Sequence, residues 1–317
     1  MITPQLVSIV IPTYNRKKSV ERLIKSILKS TYKKIEIIVV DDCSPDSTSE
    51  YLKVRFGNNS KVRTFRNKIN LYTAGTRNVG QKKSSGEFIF FIDDDNVLES
   101  TAIEYLVGEF SKDNMLGAAG PVNYNFNDKK KILWFLTRRN MSTTKTFQPR
   151  NLDEVKGKSS WETADIPNAF MVRSKIVKDN RITFKKEFGI MYEESDYAYR
   201  IRKAGFLVKT VRNAKIYHDI EVTDGGKKAM DYMYHFMNDS RRPFVFARNR
   251  ILFHKLYSNR LQLLGILIFW IWFFAAYYLY RIIFYNGYGE FSLLRRIRLS
   301  ASYLMGTFNG LTKVINF

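Results

Sequence analysis

The stretch FIFFIDDDN, Phe88–Asn96, carries the decisive pattern. Five apolar residues run directly into Asp93, Asp94 and Asp95. A continuous apolar run closed by a polar turn reads as a strand buried on both faces. Three adjacent carboxylates repel one another and favour neither helix nor sheet, so a bound cation is the natural group to offset them. A solvated turn, or the phosphoacceptor cluster of a receiver domain, are the competing readings. A receiver is shorter, however, and its acidic pair and its phosphoacceptor fall on different strands.

The same design recurs upstream. VSIVIPTYN (Val7–Asn15) is an apolar strand entering a loop, and IEIIVVDDCSPDST (Ile35–Thr48) is another, closing on Asp41 and Asp42. KVRTFRN (Lys61–Asn67) reads as a third strand and LGAAGPVNYNF (Leu116–Phe126) as a fifth. Between them, Val20, Leu23, Ile24, Ile27 and Leu28 fall on one helix face, and further helices are expected over Thr73–Lys83 and Thr101–Phe110. Strand–helix alternation with continuously apolar strands predicts an α/β fold whose central sheet is mostly parallel and covered on both faces. Ligands then bind outside the carboxyl ends of the strands, where Thr13–Arg16, Asp41–Asp42 and Asp93–Asp95 all gather. The pattern weakens over Asn127–Ser160 and returns with IPNAFMVRSKIV. VKTVRNAKIYHD (Val208–Asp219) is expected to form a closing strand pair.

The last quarter differs. Arg241–Arg260 holds six Arg or Lys and no acid, and Leu261–Tyr280 is twenty residues without a charge. At about 1.5 Å per residue the latter spans roughly 30 Å, the thickness of a bilayer core. An apolar core helix or dimer helix is the alternative. The expected organisation is a catalytic domain over residues 1–225 and a membrane-associated helical region over 226–317. The latter comprises a basic interfacial helix (241–260), a hydrophobic helix (261–284) and an amphipathic tail helix (291–310).

The net charge of +22 over 317 residues calls for an anionic partner or a solvated Lys-rich surface. A single cysteine, Cys43, excludes an intramolecular disulfide framework and suits a reducing compartment. The start MITPQLVSIVIP lacks the basic region of a secretory signal and reads as a first core strand. Three histidines and one cysteine do not make a zinc site of the usual kind. Walker A, dinucleotide and HExxH motifs are absent.

Asp93 and Asp95, spaced Asp-x-Asp, offer hard oxygen ligands for Mg²⁺ or Mn²⁺ and leave positions open for a diphosphate. Glu193, Glu194 and Asp196 cluster at a helix start, either complementing the helix dipole or supplying a general base. Asp41 and Asp42 either accept hydrogen bonds from a nucleotide or build the turn that follows them. Arg77 could steady phosphates. His218, in KIYHD, is either structural or a third metal ligand. A nucleic-acid-binding protein would account for the charge but not for acids at strand ends. A sugar-nucleotide nucleotidyltransferase would carry a Gly-rich phosphate loop that PTYNRKKS does not match.

Taken in order, VSIVIPTYNR, VVDDCSPDST, NLYTAGTRNVG, FIFFIDDDN and MYEESDYAYRIRKAGF resemble the family 2 glycosyltransferases over roughly residues 7–220. These are inverting enzymes with a GT-A-type nucleotide-sugar-binding fold. The resemblance implies a UDP-, GDP- or dTDP-linked sugar donor held by Pro12, Thr13, Tyr14, Asn15, Asp41 and Asp42. Arg77, Asp93 and Asp94 would lie beside its phosphates. It implies a metal on Asp93 and Asp95, with Asp95 the direct ligand and His218 a candidate third. It places the base at Glu194, with Glu193 and Asp196 as neighbours. Trp161 and Asp165 are candidate cleft residues for the acceptor. The Gln-x-x-Arg-Trp motif of processive synthases is missing. ARNR (Ala247–Arg250) and GTFNGL (Gly306–Leu311) resemble a membrane-associated subgroup. That implies a lipid-linked or glycan acceptor, contact with membrane lipids, and a catalytic domain on the cytoplasmic face of the cell membrane. No nucleic acid is expected as a partner, and the C-terminal helices are a candidate homodimer contact. Arg295–Arg298 leaves open whether Leu261–Tyr280 spans the bilayer or dips into one leaflet.

Overall fold

The computed structural model describes residues 5–149, 151–155, 157–219, 222–224, 227–229, 232–286 and 291–314. They fall into two compact units. The first comprises described residues within Met1–Arg138, Phe147–Gly189 and Glu193–Asp219; the second those within Arg139–Thr146, Ile190–Tyr192 and Ile220–Phe317. The expected boundary at 225–226 lies outside the described residues.

The first unit is built on β1 (Val7–Thr13), α1 (Lys17–Leu28), β2 (Ile35–Asp41), α2 (Thr48–Phe56), β3 (Val62–Arg66), α3 (Tyr72–Lys83) and β4 (Phe88–Ile92). There follow β5 (Asn96–Leu98), α4 (Ala102–Lys112), β6 (Leu116–Asn125) and β7 (Ile132–Trp134); of the two-residue strands β8 (Arg138–Arg139) and β9 (Thr146–Phe147), Arg139 and Thr146 belong to the second unit. A short 3₁₀ turn precedes β10 (Ser160–Glu162), β11 (Ala169–Arg173), α5 (Ser174–Asp179), α6 (Glu193–Lys203) and β12 (Leu207–His218). The main sheet has the order β10-β12-β6-β11-β4-β1-β2-β3, with β5 added to β12 and β7 to β6.

Its parallel half, β3-β2-β1-β4, is the part expected from the apolar runs. The remainder is mixed: β11 runs antiparallel between β4 and β6, while β12 is parallel to β6. The stretch expected as a closing strand pair is instead one long strand, β12, broken by a register shift between Val211 and Lys215. Successive strand side chains point to opposite faces. Val7, Ile9 and Ile11 therefore join α1, α2 and α4 in one core, and Val10 joins α3, α5 and α6 in the other. α3 lies directly on β1 because residue 80 has no side chain: a Cβ there would sit 2.2 Å from Val10 Cγ1.

The second unit contains a hairpin of β13 (Val222–Asp224) and β14 (Lys227–Ala229), with α7 (Tyr232–Asn238) and α8 (Arg241–Tyr257). α9 (Arg260–Gly265), a π-helical stretch (Ile266–Trp270) and α10 (Ile271–Ile283) follow as one run, then α11 (Leu293–Thr312). α8, expected at an interface, is the buried helix of this unit: Phe246, Ala247, Asn249, Arg250, Ile251, Leu252, Phe253 and His254 are all enclosed. Of its basic residues Arg250 is buried, Arg242, Arg248 and Lys255 are half-buried and Arg241 is exposed. Arg250 is buried over the rings of Phe246 and Phe274, at 4.5 and 4.2 Å. Burial pushes the His254 imidazole down to about 3, with Arg139 and Arg250 adding to the effect, so it is neutral. α11 packs closely on α8 through Gly306 and Gly310, where added Cβ atoms would come within 2.2 Å of Phe244 O and 3.0 Å of Arg248 O. Arg260–Ile283 is 24 residues long and apolar enough to cross a membrane; only 17% of its most apolar stretch is buried. It is thus not a core helix of this chain. Ile268, Phe269, Trp272 and Phe273 are exposed along it.

Candidate functional site

The carboxyl ends of β1, β2 and β4 bring the expected residues to one edge of the sheet. Pro12 and Thr13 end β1 and are buried; Tyr14 and Asn15 follow in the open, with Asn15 at φ 55°. After β4 the three aspartates diverge, each to a different partner. Asp93 Oδ1 accepts from Arg77 Nη2 at 2.6 Å. Asp94 Oδ2 accepts from Thr13 Oγ1 at 2.6 Å. Arg16 Nη1 bridges Asp94 Oδ1 (3.1 Å) and Asp95 Oδ2 (2.8 Å), and Asp95 Oδ1 lies 3.2 Å from His218 Nε2. The repulsion anticipated from the sequence is thus met by four cationic or polar partners, Arg77, Thr13, Arg16 and His218.

Burial pushes the Asp94 carboxyl up to about 7, and the neighbouring charge of Asp95 adds to this against Arg16. Burial acts on Asp95 in the same sense, but His218 and Arg16 outweigh it and hold that carboxyl well below the usual range. Asp95 is therefore the firmly ionised member.

Arg77 is the centre of a second group. α3 runs back along β1, so its N-terminal half lies at the strand ends. The guanidinium is 1% exposed. Besides Asp93 it donates to Glu194 Oε1 at 2.7 Å and faces Glu193 Oε1 at 3.6 Å. One cation serves three carboxylates and cannot offset them all. Burial is the largest influence on Glu193 and Glu194, and with Arg77 only partly opposing it, both are held above the usual carboxylate range. Asp196, two residues on, is not brought to this group: it is fully buried on α6 and paired with Arg200 at 2.7 Å.

Asn168 ties the two groups together. Its N–H donates to Glu194 Oε1 at 3.0 Å, its carbonyl accepts from the Asp93 N–H at 3.0 Å, and its Nδ2 lies 3.1 Å from His218 Nδ1. With the amide donating there, His218 carries its proton on Nε2, toward Asp95. Asn168 sits at φ 66°, a conformation Asn tolerates better than most side chains. The sequence reading missed it, and missed Arg16 as a partner of the aspartates. The only local sign was an Asn between Pro167 and an apolar strand.

Asp41 and Asp42, at the end of β2, have partners of their own. Asp41 Oδ1 accepts from the Ser44 N–H (3.0 Å) and Oδ2 from Arg66 (3.2 Å), which builds the turn after β2. Asp42 Oδ1 accepts from Asn67 Nδ2 and the Leu71 N–H, both at 2.8 Å, and is buried. Of the two acceptor candidates, Trp161 is not in a cleft. It packs in a core with Val122, Phe135 and Leu136, because β10 turns that face inward. Asp165 does line a recess and accepts from Ser195 Oγ at 2.8 Å.

Carboxylate oxygens at strand ends, a helix-start glutamate pair and a buried arginine joining them thus gather at one edge of the sheet. Residues 8–180, more than half of the chain, match the family model described as Glycosyl transferase family 2. The chain belongs to that family. The Escherichia coli UDP-Glc:alpha-D-GlcNAc-diphosphoundecaprenol beta-1,3-glucosyltransferase WfgD is 34% identical over 128 residues, 40% of this chain and 49% of that protein. The GalNAc(5)-diNAcBac-PP-undecaprenol beta-1,3-glucosyltransferase of Campylobacter jejuni is 37% identical over 101 residues, 32% of this chain and 33% of that protein. The chain thus spans about half, or less, of the curated relatives it matches. The solved structure of GalNAc-T7 with UDP, GalNAc and Mn²⁺ has a TM-score of 0.63 at 17% identity, over 94% of this chain and 54% of that one. The fold of this family 2 glycosyltransferase is accordingly of the GT-A type.

Proposed function

We propose that this glycosyltransferase moves a sugar, with inversion, from a nucleotide-diphosphate sugar to a hydroxyl of a polyprenyl-diphosphate-linked glycan. The observation that carries this reading is the Arg77 bridge. It joins Asp93, at the strand end where a donor diphosphate binds in such sheets, to Glu194 at the start of α6. Leaving-group site and base then belong to one network. Two relatives that act on undecaprenol-linked sugars support the acceptor class.

The donor set fits a hard divalent cation. Asp93 and Asp95 supply partly exposed carboxylate oxygens (26% and 21%), and His218 Nε2 would join them with its proton on Nδ1 and the Asn168 amide oxygen turned to accept it. Among the described residues no cluster of three such ligands exists; the donor's own phosphates would have to supply the remaining positions. Mg²⁺ or Mn²⁺ bound there would neutralise the departing diphosphate. Arg77 keeps Asp93 turned toward that position. Glu194 takes the proton of the attacking hydroxyl, and its raised affinity for protons brings it nearer the operating pH, as a base requires. Pro12–Asn15 and Asp42 border the place of the nucleotide; Arg16 covers Asp94 and Asp95 until the donor arrives.

We assign catalysis to residues 1–225 and membrane contact to 226–317. The exposed apolar side of Arg260–Ile283, about 36 Å long at 1.5 Å per residue, is assigned to lipid rather than to a second copy. A cytosolic sugar-nucleotide donor supports a catalytic unit on the cytoplasmic face. The test is calorimetric titration of UDP-, GDP- and dTDP-sugars with and without Mn²⁺. Mn²⁺-dependent binding of one nucleotide class is expected; absence of binding in every combination would reject the donor site.

A further inference from the structure

We infer that the apolar helix Arg260–Ile283 does not cross a bilayer but lies along one anionic leaflet, with the outer face of α11 beside it. The inference rests on the membrane contact proposed above and gives it a geometry: the chain before Arg260 and the chain after Ile283 stay on one side. By length alone the run could cross, since it is 24 residues long. What it packs against decides otherwise.

Its inner side is occupied along the whole length by helices that carry charge. Ile266 and Ile271 share a cluster with Ile251 of α8 and Leu311 of α11; Ala275 and Ile282 share another with Phe246 of α8 and Leu299 of α11. A crossing would take α8 with it, and with α8 the half-buried Arg248 near its middle. It would also take the turn over residues 140–145, which belongs to the same unit. Lys145, exposed on that turn, lies 5.1 Å from the centre of the Trp270 ring and 5.9 Å from that of Phe273, at the middle of the run. Irregular backbone and an ammonium group beside the centre of a span are what hydrocarbon rejects. The middle of this helix is therefore wetted on one side. A helix wetted on one side and apolar on the other lies in the interface.

The outer side shows what covers it. Leu261, Ile268, Trp272 and Ile283 are exposed there, and α11 exposes Leu294, Ile297, Met305 and Phe308 on one face. α11 turns its other face to α8 through Gly306 and Gly310, so its stripe points away from that helix. From Arg241 to Lys313 the chain has eleven Arg or Lys and one acid, Glu290. Such an excess repels a second copy of the same surface and attracts anionic headgroups. Arg260 and Arg298 are exposed on the two helices that carry the stripes, where headgroups would meet them.

The test uses the full chain with Cys43→Ser, so that a single introduced cysteine carries a fluorophore. Leu261→Cys, Trp272→Cys and Ile283→Cys fall on one face at the start, middle and end of the helix, and Leu294→Cys and Met305→Cys on one face of α11. Each protein is reconstituted into phosphatidylethanolamine–phosphatidylglycerol vesicles carrying a nitroxide lipid, spin-labelled near the headgroup or near the acyl terminus. A face buried about 5–10 Å deep should be quenched roughly threefold more by the shallow nitroxide than by the deep one, at all five positions alike. Circular dichroism matching the wild type shows that the labelled proteins are folded; Ile268→Cys replaces Trp272→Cys if that one is not. A middle probe quenched best by the deep nitroxide, with both ends quenched by the shallow one, overturns the inference and makes the helix a span. Probes on α11 that neither nitroxide reaches overturn its place in the leaflet. Arg260→Cys and Asn286→Cys, made in bacterial cells, should both react with an impermeant maleimide in inverted membrane vesicles and neither in spheroplasts; reaction from opposite sides overturns the inference likewise. Replacing phosphatidylglycerol by phosphatidylcholine should weaken vesicle binding roughly tenfold or more, and unchanged binding removes the anionic leaflet. Protein that does not bind vesicles at all sinks the membrane contact itself, whereas a span leaves that contact standing.

Discussion

Glu194→Gln separates the chemistry of the site from its architecture. The amide oxygen of Gln can still accept from Arg77 Nη2 and the Asn168 N–H, which hold Glu194 Oε1 at 2.7 and 3.0 Å. The pocket should therefore keep its shape and its donor affinity. What is lost is a proton acceptor. General-base assistance is worth about 10²–10⁴ in rate, or roughly 3–5 kcal/mol of barrier. The assay is transfer of labelled sugar into a polyprenyl-diphosphate N-acetylhexosamine, beside calorimetric donor binding. A second readout follows from burial, which raises the Glu194 carboxyl from 4.5 to about 8. A raised carboxyl contributes stability that is complete below pH 4.5 and lost as pH climbs through the folded value. At about 1.4 kcal/mol per pH unit, and allowing for Glu193 sharing the same arginine, ionisation costs on the order of 3 kcal/mol by pH 9. Gln cannot ionise. Glu194→Gln should thus melt near the wild type at pH 4 and several degrees above it at pH 9. Activity within tenfold of wild type, or a larger loss from Glu193→Gln, would refute the assignment of the base. A variant that melts below wild type at pH 9 would refute the account of burial.

Three further outcomes are expected. Asp95→Asn should remove the Mn²⁺-dependent part of donor affinity, about 10–100-fold by analogy with perturbed metal sites; an unchanged Mn²⁺ dependence in calorimetry would take Asp95 out of the metal site. Trp161→Ala should cost about 3–5 kcal/mol in urea unfolding, as a large core truncation does. A loss below about 1 kcal/mol would mean that its face is open after all, given that surface substitutions stay within roughly half a kcal/mol. Ile268→Lys with Phe273→Lys, at positions 68% and 46% exposed, should stop the protein floating with vesicles of phosphatidylethanolamine and phosphatidylglycerol. Continued flotation would place the anchor elsewhere.

The parallel half of the fold was legible because its information is local. Apolar runs such as Phe88–Ile92 must be buried on both faces wherever they lie, and Val20, Leu23, Ile24 and Ile27 fall on one side of any helix. The direction of β11 was not legible. Four apolar residues, Ala169–Val172, pair as well in either sense, and only the space between β4 and β6 decides it. The same holds for Trp161 and Trp134. Both are tryptophans in the least patterned stretch, yet β10 turns one into a core while β7 leaves the other at a recess.

By itself the sequence determined which chemistry was present: acids at strand ends, a glutamate pair at a helix start, an arginine between them, and an apolar helix long enough for a bilayer. Charge and hydrophobicity are properties of residues and survive without coordinates. The tertiary structure alone decided who partners whom. Asp93, Asp94 and Asp95 are neighbours in sequence but answer to Arg77, Thr13 with Arg16, and His218 with Arg16, respectively. Asn168, silent in the sequence, joins the two groups. Successive side chains after a strand point in different directions, and the partners that meet them arrive from elements up to 197 residues apart, as Arg22 and Asp219 do at the same edge. Such encounters are set by the closing of the sheet and its covering helices, which no local pattern encodes.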